Sequence, residues 1–231
     1  MHVLFVHPNF PGQFGPVAFR LAATPGFRCT FVSQKREGVF RGVRCLKYAT
    51  RGGATEKTHF CSRTFENATW HAAGVYEALA AAADVRPDLV VGHSGFGSTL
   101  YLRELYDCPI LNYFEYYYRP HNSDMDFRPE WPPLELDILR SYARNAMLLL
   151  DLQNCNAGYS PTQWQRELFP RPYQDKISTI FDGVDMQVWN RRPEGERRPR
   201  VVAGRTIPDD VKLVTYAARG FESMRGFDIF M

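Results

Sequence analysis

The chain alternates short, largely apolar runs with longer stretches of helical spacing. Val3 to Val6 is a compact apolar run, and a helix-compatible stretch follows from Gly15 to Ala23. Further strands are predicted at Cys29 to Val32, Val43 to Tyr48, Leu89 to Val91 and Pro109 to Tyr113. His59 to Ala83, with its alanine block at Ala80 to Ala83, and Gly97 to Tyr106 read as helices, the first interrupted by Pro87. Apolar strands separated by helices are the pattern of a parallel sheet buried on both faces. The fold class expected is therefore α/β: a Rossmann-like parallel sheet with helices on both faces.

The second half continues the pattern. Leu139, Tyr142, Ala143, Ala146 and Leu150 fall at helical spacing, which predicts one long amphipathic helix from Leu134 to Leu152. Ala157 to Tyr159 is a short strand. Ser160 is placed to cap the next helix, with Pro161 at its first position and Gln163 reaching back to the cap amide. Ile177 to Phe181 is a further strand. Residues 191 to 200, RRPEGERRPR, lack apolar periodicity and read as a linker. Beyond it, Val211 to Ala217 predicts a new strand, and Arg219 to Met231 a turn and the start of a helix. One strand and a partial helix do not enclose a core. The expected organisation is a domain over residues 1–190, a linker over 191–210 and the truncated start of a second domain over 211–231.

Composition narrows the classes. The 231 residues carry a formal net charge of +3, too little to indicate nucleic-acid binding. The five cysteines are odd in number, far apart and without CxxC spacing, against a disulfide framework or zinc site and in favour of a reducing compartment. The first residues have no basic leader region, and no stretch approaches the roughly 18 apolar residues of a membrane span. These features predict a cytoplasmic protein, with contact at the inner membrane surface left open.

Several segments together resemble the family 4 glycosyltransferases of the GT-B fold, and more narrowly a bacterial subgroup with a tyrosine-rich loop in the amino-terminal domain. They are HVLFVHPNFPGQF (2–14), PDLVVGHSGFGSTLYLREL (87–105), PILNYFEYYYRP (109–120), YSPTQWQRELFP (159–170) and ISTIFDGVDMQVW (177–189). AARGFESMRGFDIFM (217–231) resembles the start of the family's carboxy-terminal domain. The resemblance implies two facing Rossmann-like domains with a cleft between them, the first holding the acceptor and the second the nucleotide sugar. It implies transfer of a sugar to an acceptor hydroxyl, with retention at the anomeric carbon and without metal or cofactor. A carbohydrate or lipid-linked acceptor, in polysaccharide assembly, is the partner class implied.

Candidate site residues cluster after the predicted strands, where open α/β sheets bind ligands. His7 to Gly15 follows the first strand. Gly12 and Gly15 allow close backbone approach, Gln13 lies between them, and the helix start that follows offers amide donors to a diphosphate. This is not a GxGxxG fingerprint. Ser33, Gln34 and Lys35, about 20 residues further on, offer no acidic ribose ligand, which argues against NAD. A plain tight turn is the competing reading. His93 and Ser94 follow the fourth apolar strand among glycines, and His93 is placed to bond an acceptor hydroxyl. Glu115 closes the next strand and is a candidate to orient or deprotonate that hydroxyl. Tyr117 and Arg119 suit a carbohydrate or aromatic acceptor; a structural Glu–Arg pair with half-buried tyrosines explains them equally well. Asp182 to Asp185, DGVD, reads as a turn around Gly183. By resemblance, Arg219 and Arg225 stand where the family holds the donor diphosphate.

No nucleophilic Ser or Cys constellation and no metal-ligand cluster is evident. The linker's five arginines and two glutamates suit a solvated segment, or contact with anionic lipid. If the second domain is cut short, this chain alone has little or no transferase activity. The alternatives are a non-catalytic sugar- or nucleotide-binding module and the remnant of an interrupted gene. A flavodoxin-like receiver is disfavoured by His7 and Pro8 in place of an acidic cluster.

Overall fold

The computed structural model describes residues 1–191, 193 and 198–231. Arg192, Glu194, Gly195, Glu196 and Arg197, part of the charged stretch over 191–200 read as a linker, lie outside the described residues. The chain forms two units: one of Met1–Phe127 with Pro132–Asp182, the other of Arg128–Trp131 with Gly183–Met231.

The first unit is built in the order β1 (His2–Val6), α1 (Gly15–Ala22), β2 (Arg28–Ser33), β3 (Gly38–Phe40), β4 (Val43–Lys47) and α2 (Arg63–Ala81). It continues with β5 (Leu89–His93), β6 (Ile110–Tyr113), α3 (Glu135–Arg144), α4 (Ala146–Asn154), β7 (Ala157–Ser160), α5 (Gln163–Leu168), α6 (Arg171–Gln174) and β8 (Ile177–Thr179). The eight strands form one sheet in the order β3-β4-β2-β1-β5-β6-β7-β8. All neighbours pair in parallel except β3, which turns antiparallel onto β4. This is the α/β class expected from the apolar runs.

Side chains alternate across the sheet and fill both faces. Leu4 and Val6 join Val75 and Leu79 of α2 and Leu152 of α4 in one buried cluster. Val3 and Phe5 point the other way, into a cluster with Phe14 and Ala18 beside and within α1. A strand buried on both sides has no solvent-facing position, which is why Val3–Val6 of β1 reads as a continuous apolar run. Each fully buried side chain of this size contributes about 1.5–3 kcal/mol.

Several elements differ from the sequence reading. The helix expected over Leu134 to Leu152 is two helices that meet at Asn145. The Asn145 side-chain amide donates to the Ser141 carbonyl at 3.3 Å, the group its own backbone N–H would take in a continuous helix. That N–H goes instead to Tyr142 O at 3.3 Å. The cap of α5 is Thr162, whose hydroxyl accepts from the Gln165 amide at 3.2 Å. Ser160 is the last residue of β7 and donates to Phe114 O at 2.7 Å, so it is occupied within the sheet. Only Leu102–Glu104 of the expected 97–106 helix is helical, as one tight turn. The β3–β4 hairpin went unforeseen because its turn, Arg41–Gly42, lacks the usual Asn-Gly or Asp-Gly signal, although both residues take positive φ (48° and 79°).

In the second unit, β9 (Val201–Val202) and β10 (Arg205–Thr206) form a short hairpin within the stretch read as linker. Among the described residues no strand forms over 211–217. A strand takes its hydrogen bonds from a neighbour, and none pairs there. A final helix, α7 (Phe227–Phe230), follows a single tight turn at Ser223–Arg225.

Candidate functional site

The sheet order places the site. From β1 the chain runs outward through β2 to β4 on one side, then crosses to β5 on the other. The connections after β1 and β5 therefore leave in opposite directions and open a crevice at the carboxyl ends of these strands. The register sets Val6 beside Gly92 and His93 beside Tyr113. The residues that follow, His7, His93 and Glu115, consequently emerge side by side at the ends of β1, β5 and β6.

The two imidazoles meet with ring centroids 5.2 Å apart, edge to face. Phe96 closes over both, 5.7 Å from His7 and 4.8 Å from His93. His7 is buried, with Nδ1 2.9 Å from both the amide and the carbonyl of Asn9. Burial first, then the neighbouring His93, lowers its pKa from 6.5 to about 4, so His7 is neutral at pH 7. Gly12 packs on this ring at a φ of 51°; a Cβ there would lie 2.9 Å from His7 Nδ1. Gly15 opens α1, against Pro11.

His93 is buried as well, and its Nδ1 lies 2.9 Å from the Ser94 carbonyl. A carbonyl only accepts, so Nδ1 carries a proton, and Nε2 faces the crevice. Nε2 lies 3.3 Å from Glu115 Oε2 and 3.5 Å from Gln13 Nε2. The ring nitrogen and the carboxylate are within reach of one shared proton, and Glu115 is half exposed on the open side.

The loop carrying His93 is anchored from beneath by Asp151 of α4. Its carboxylate accepts from Ser94 Oγ at 3.0 Å and from the Gly95 amide at 2.8 Å, with Thr99 Oγ1 at 3.5 Å. Asp151 is fully buried, and burial raises its pKa to about 6 against the lowering effect of these donors. Sequence reading missed it. A lone carboxylate within the apolar run Met147 to Leu152 was the available signal.

A cavity of about 320 Å³ opens beside these groups. His93, Ser94, Phe96 and Glu115 line one part; Tyr116, Tyr118 and Arg144 line another, with Asn67 and His71 of α2 completing the wall. Of the tyrosine-rich loop, then, Tyr116 and Tyr118 reach the cavity. Tyr117 packs into the core 5.4 Å from Phe169. Arg119 donates to Leu168 O at 2.8 Å and Glu167 O at 3.2 Å, tying the loop to the end of α5. The structure thus gathers His7, Gly12, Gln13, His93, Ser94 and Glu115 and leaves Tyr117 and Arg119 in supporting positions. Asp182 accepts from Tyr113 Oη at 3.2 Å, and Gly183 has a φ of 79°. In the second unit Arg219 is exposed, and Arg225 Nε donates to Glu222 at 3.0 Å.

All five cysteines are free. Among the described residues no group of three or more His, Cys, Asp or Glu gathers as a metal site, and no helix is long and apolar enough to cross a membrane.

This fold is similar to that of sucrose-phosphate synthase from Thermosynechococcus elongatus: TM-score 0.50 at 10% identity, over 80% of this chain and 90% of that one. Also similar are a calicheamicin glycosyltransferase (TM-score 0.45, 16% identity, 78% of this chain and 52% of that) and Phytolacca americana UGT2 complexed with UDP-2fluoro-glucose and pterostilbene (0.48, 11%, 78% and 53%). The chain spans about half the length of these last two. At such identities the likeness is one of fold. The family comes from the sequence: the glycosyl transferase family 4 group matches residues 25–189, and the chain belongs to it. No curated protein matches the chain in sequence.

Proposed function

We propose that the protein transfers a sugar from a nucleotide sugar to an acceptor hydroxyl, and that this chain supplies the acceptor side of the site. The observation that carries this reading is the convergence of His93 Nε2 and Glu115 at 3.3 Å on the crevice at the β1–β5 switch point. An acceptor hydroxyl seated there donates toward Nε2, and Glu115 steadies the positive charge that proton transfer creates. Phe96, Tyr116 and Tyr118 offer aromatic walls of the kind that sugar rings stack on. The turn from His7 to Gly15 then faces the donor phosphates. Retention and metal independence follow from the family resemblance, as does a carbohydrate or lipid-linked acceptor in polysaccharide assembly on the cytoplasmic side.

Arg219 and Arg225 are proposed to hold the leaving diphosphate in the full-length protein, within the nucleotide-sugar domain that their surroundings resemble. Here Arg225 is engaged by Glu222, and little transferase activity is expected of this chain by itself. The test is an assay of this chain and of a full-length version with a panel of nucleotide sugars. Turnover is expected from the longer form only, and comparable turnover from the chain alone overturns the division of labour. In the longer form, His93→Gln and Glu115→Gln should each lower kcat about a hundredfold. Undiminished kcat in both removes them from the chemistry. Nucleotide-sugar binding by a full-length form with no turnover on any acceptor favours the binding-module alternative.

A further inference from the structure

The cavity beside His93 has a second polar end that the transfer chemistry does not use. Arg144, the last residue of α3, lines it. Its guanidinium lies over the Tyr118 ring, 3.6 Å from the centroid. Its Nε is buried without a hydrogen-bond partner, and among the described residues it has no carboxylate partner. One turn earlier, Arg140 repeats the arrangement. It lies over Phe60 at 4.6 Å, its Nε is likewise buried and unpartnered, and its Nη2 donates to Thr64, another lining residue, at 3.3 Å.

A guanidinium stacked on a ring spends its face and keeps its in-plane N–H donors for a planar or tetrahedral oxyanion. Leaving such a donor buried and unmet is unfavourable, and an oxyanion ligand relieves it. The nearby histidine does not compete for the anion. His71 is held neutral by burial, and its Nδ1 is 2.9 Å from Tyr48 Oη. Among the described residues, the acid on the cavity wall is Glu115, at the His93 end. The cavity therefore has a cationic end and a proton-accepting end, within a volume at the low end of small-molecule pockets, about 300–1,000 Å³.

We infer that the acceptor carries an oxyanion, a phosphate or a carboxylate, which Arg144 binds with support from Arg140 while the acceptor's hydroxyl reaches His93 and Glu115. This rests on the cavity being the acceptor site.

The test is calorimetric titration of the chain with glucose, glucuronate, glucose 6-phosphate and inorganic phosphate at low salt. Glucuronate and glucose 6-phosphate are expected to bind at least about tenfold tighter than glucose, the effect of one charge-assisted contact. Whichever is tighter identifies carboxylate or phosphate as the natural group. Arg144→Gln should abolish the preference and Arg144→Lys should keep part of it, with unchanged circular dichroism in both. Equal binding of all three sugars, or a preference that survives Arg144→Gln, overturns the inference; tight glucose binding in that case leaves the acceptor reading standing. Inorganic phosphate binding as tightly as glucose 6-phosphate overturns both, because the sugar would then contribute nothing.

Discussion

Two buried groups around the crevice have pKa values moved in opposite directions, and this has a measurable consequence. His7 is lowered from 6.5 to about 4. Its contribution to stability is present above about 6.5 and is lost as pH falls toward 4, where the unfolded chain binds the extra proton. Asp151 is raised from 3.8 to about 6. Its contribution is fully present below about 3.8 and is lost as pH rises through 6, because ionising it in the interior is costly. Between pH 4 and 6 the two slopes oppose each other. Asp151→Asn keeps an acceptor for the Gly95 amide but removes the titration. Stability, followed by urea unfolding at a series of pH values, should then fall more steeply on acidification than in the parent. An unchanged slope would show that Asp151 does not titrate in that window. The histidines of the crevice were visible in the sequence because each follows an apolar strand. Asp151 and Arg144 were not, since a helix face does not show in one dimension which neighbour will cover it.

At the scale of elements, the break between α3 and α4 positions the tyrosine-rich loop. Asn145 Oδ1 accepts from the Tyr118 amide at 2.9 Å, and its Nδ2 donates to the Tyr118 carbonyl at 2.7 Å. One side chain thus satisfies both backbone groups of a cavity-lining residue. Asn145→Ala leaves them unmet and should lower stability by about 2 kcal/mol, with a matching loss of sugar affinity in the same calorimetric titration. A stability loss with full affinity would separate the junction from the site. Gly97 performs a related task for α2. It has a φ of 72°, and a Cβ there would lie 2.0 Å from the Ala68 carbonyl of that helix. Gly97→Ala should cost about 2 kcal/mol or more, read from the shift in urea midpoint. Neither requirement is local: the Asn145 partner lies 27 residues away, and the Gly97 constraint comes from a helix packed against it.

For the molecule as a whole, both core clusters lie within the first unit, which closes at Asp182. In the second unit Val211, Leu213, Val214, Phe221 and Ile229 are exposed. Residues 183–231 should therefore contribute little to the stability of the sheet domain. A chain ending at Asp182 is expected to unfold cooperatively within a few degrees of the parent's midpoint, monitored by circular dichroism. A large drop would mean that the later residues complete the core. The strands of the first unit were legible because burial on both faces leaves short, largely apolar runs. The strand expected over 211–217 is mostly apolar, with Lys212 and Thr215 within it, and a run of residues specifies a strand only where a neighbouring ladder receives it.

The sequence by itself determined the α/β class, the family and the presence of polar groups after β1, β5 and β6, because apolar runs, turn residues and motif order are written locally along the chain. Tertiary structure alone decided what those groups do together. Strand order brought His7, His93 and Glu115 to one crevice. Helix packing turned Tyr117 and Arg119 toward the scaffold and set Asp151 beneath the His93 loop. The same packing left Arg144 stacked on Tyr118, its Nε buried and unpartnered among the described residues, at the other end of the cavity. Distances between residues far apart in sequence are fixed by which surfaces bury each other, and no single segment of the chain contains that information.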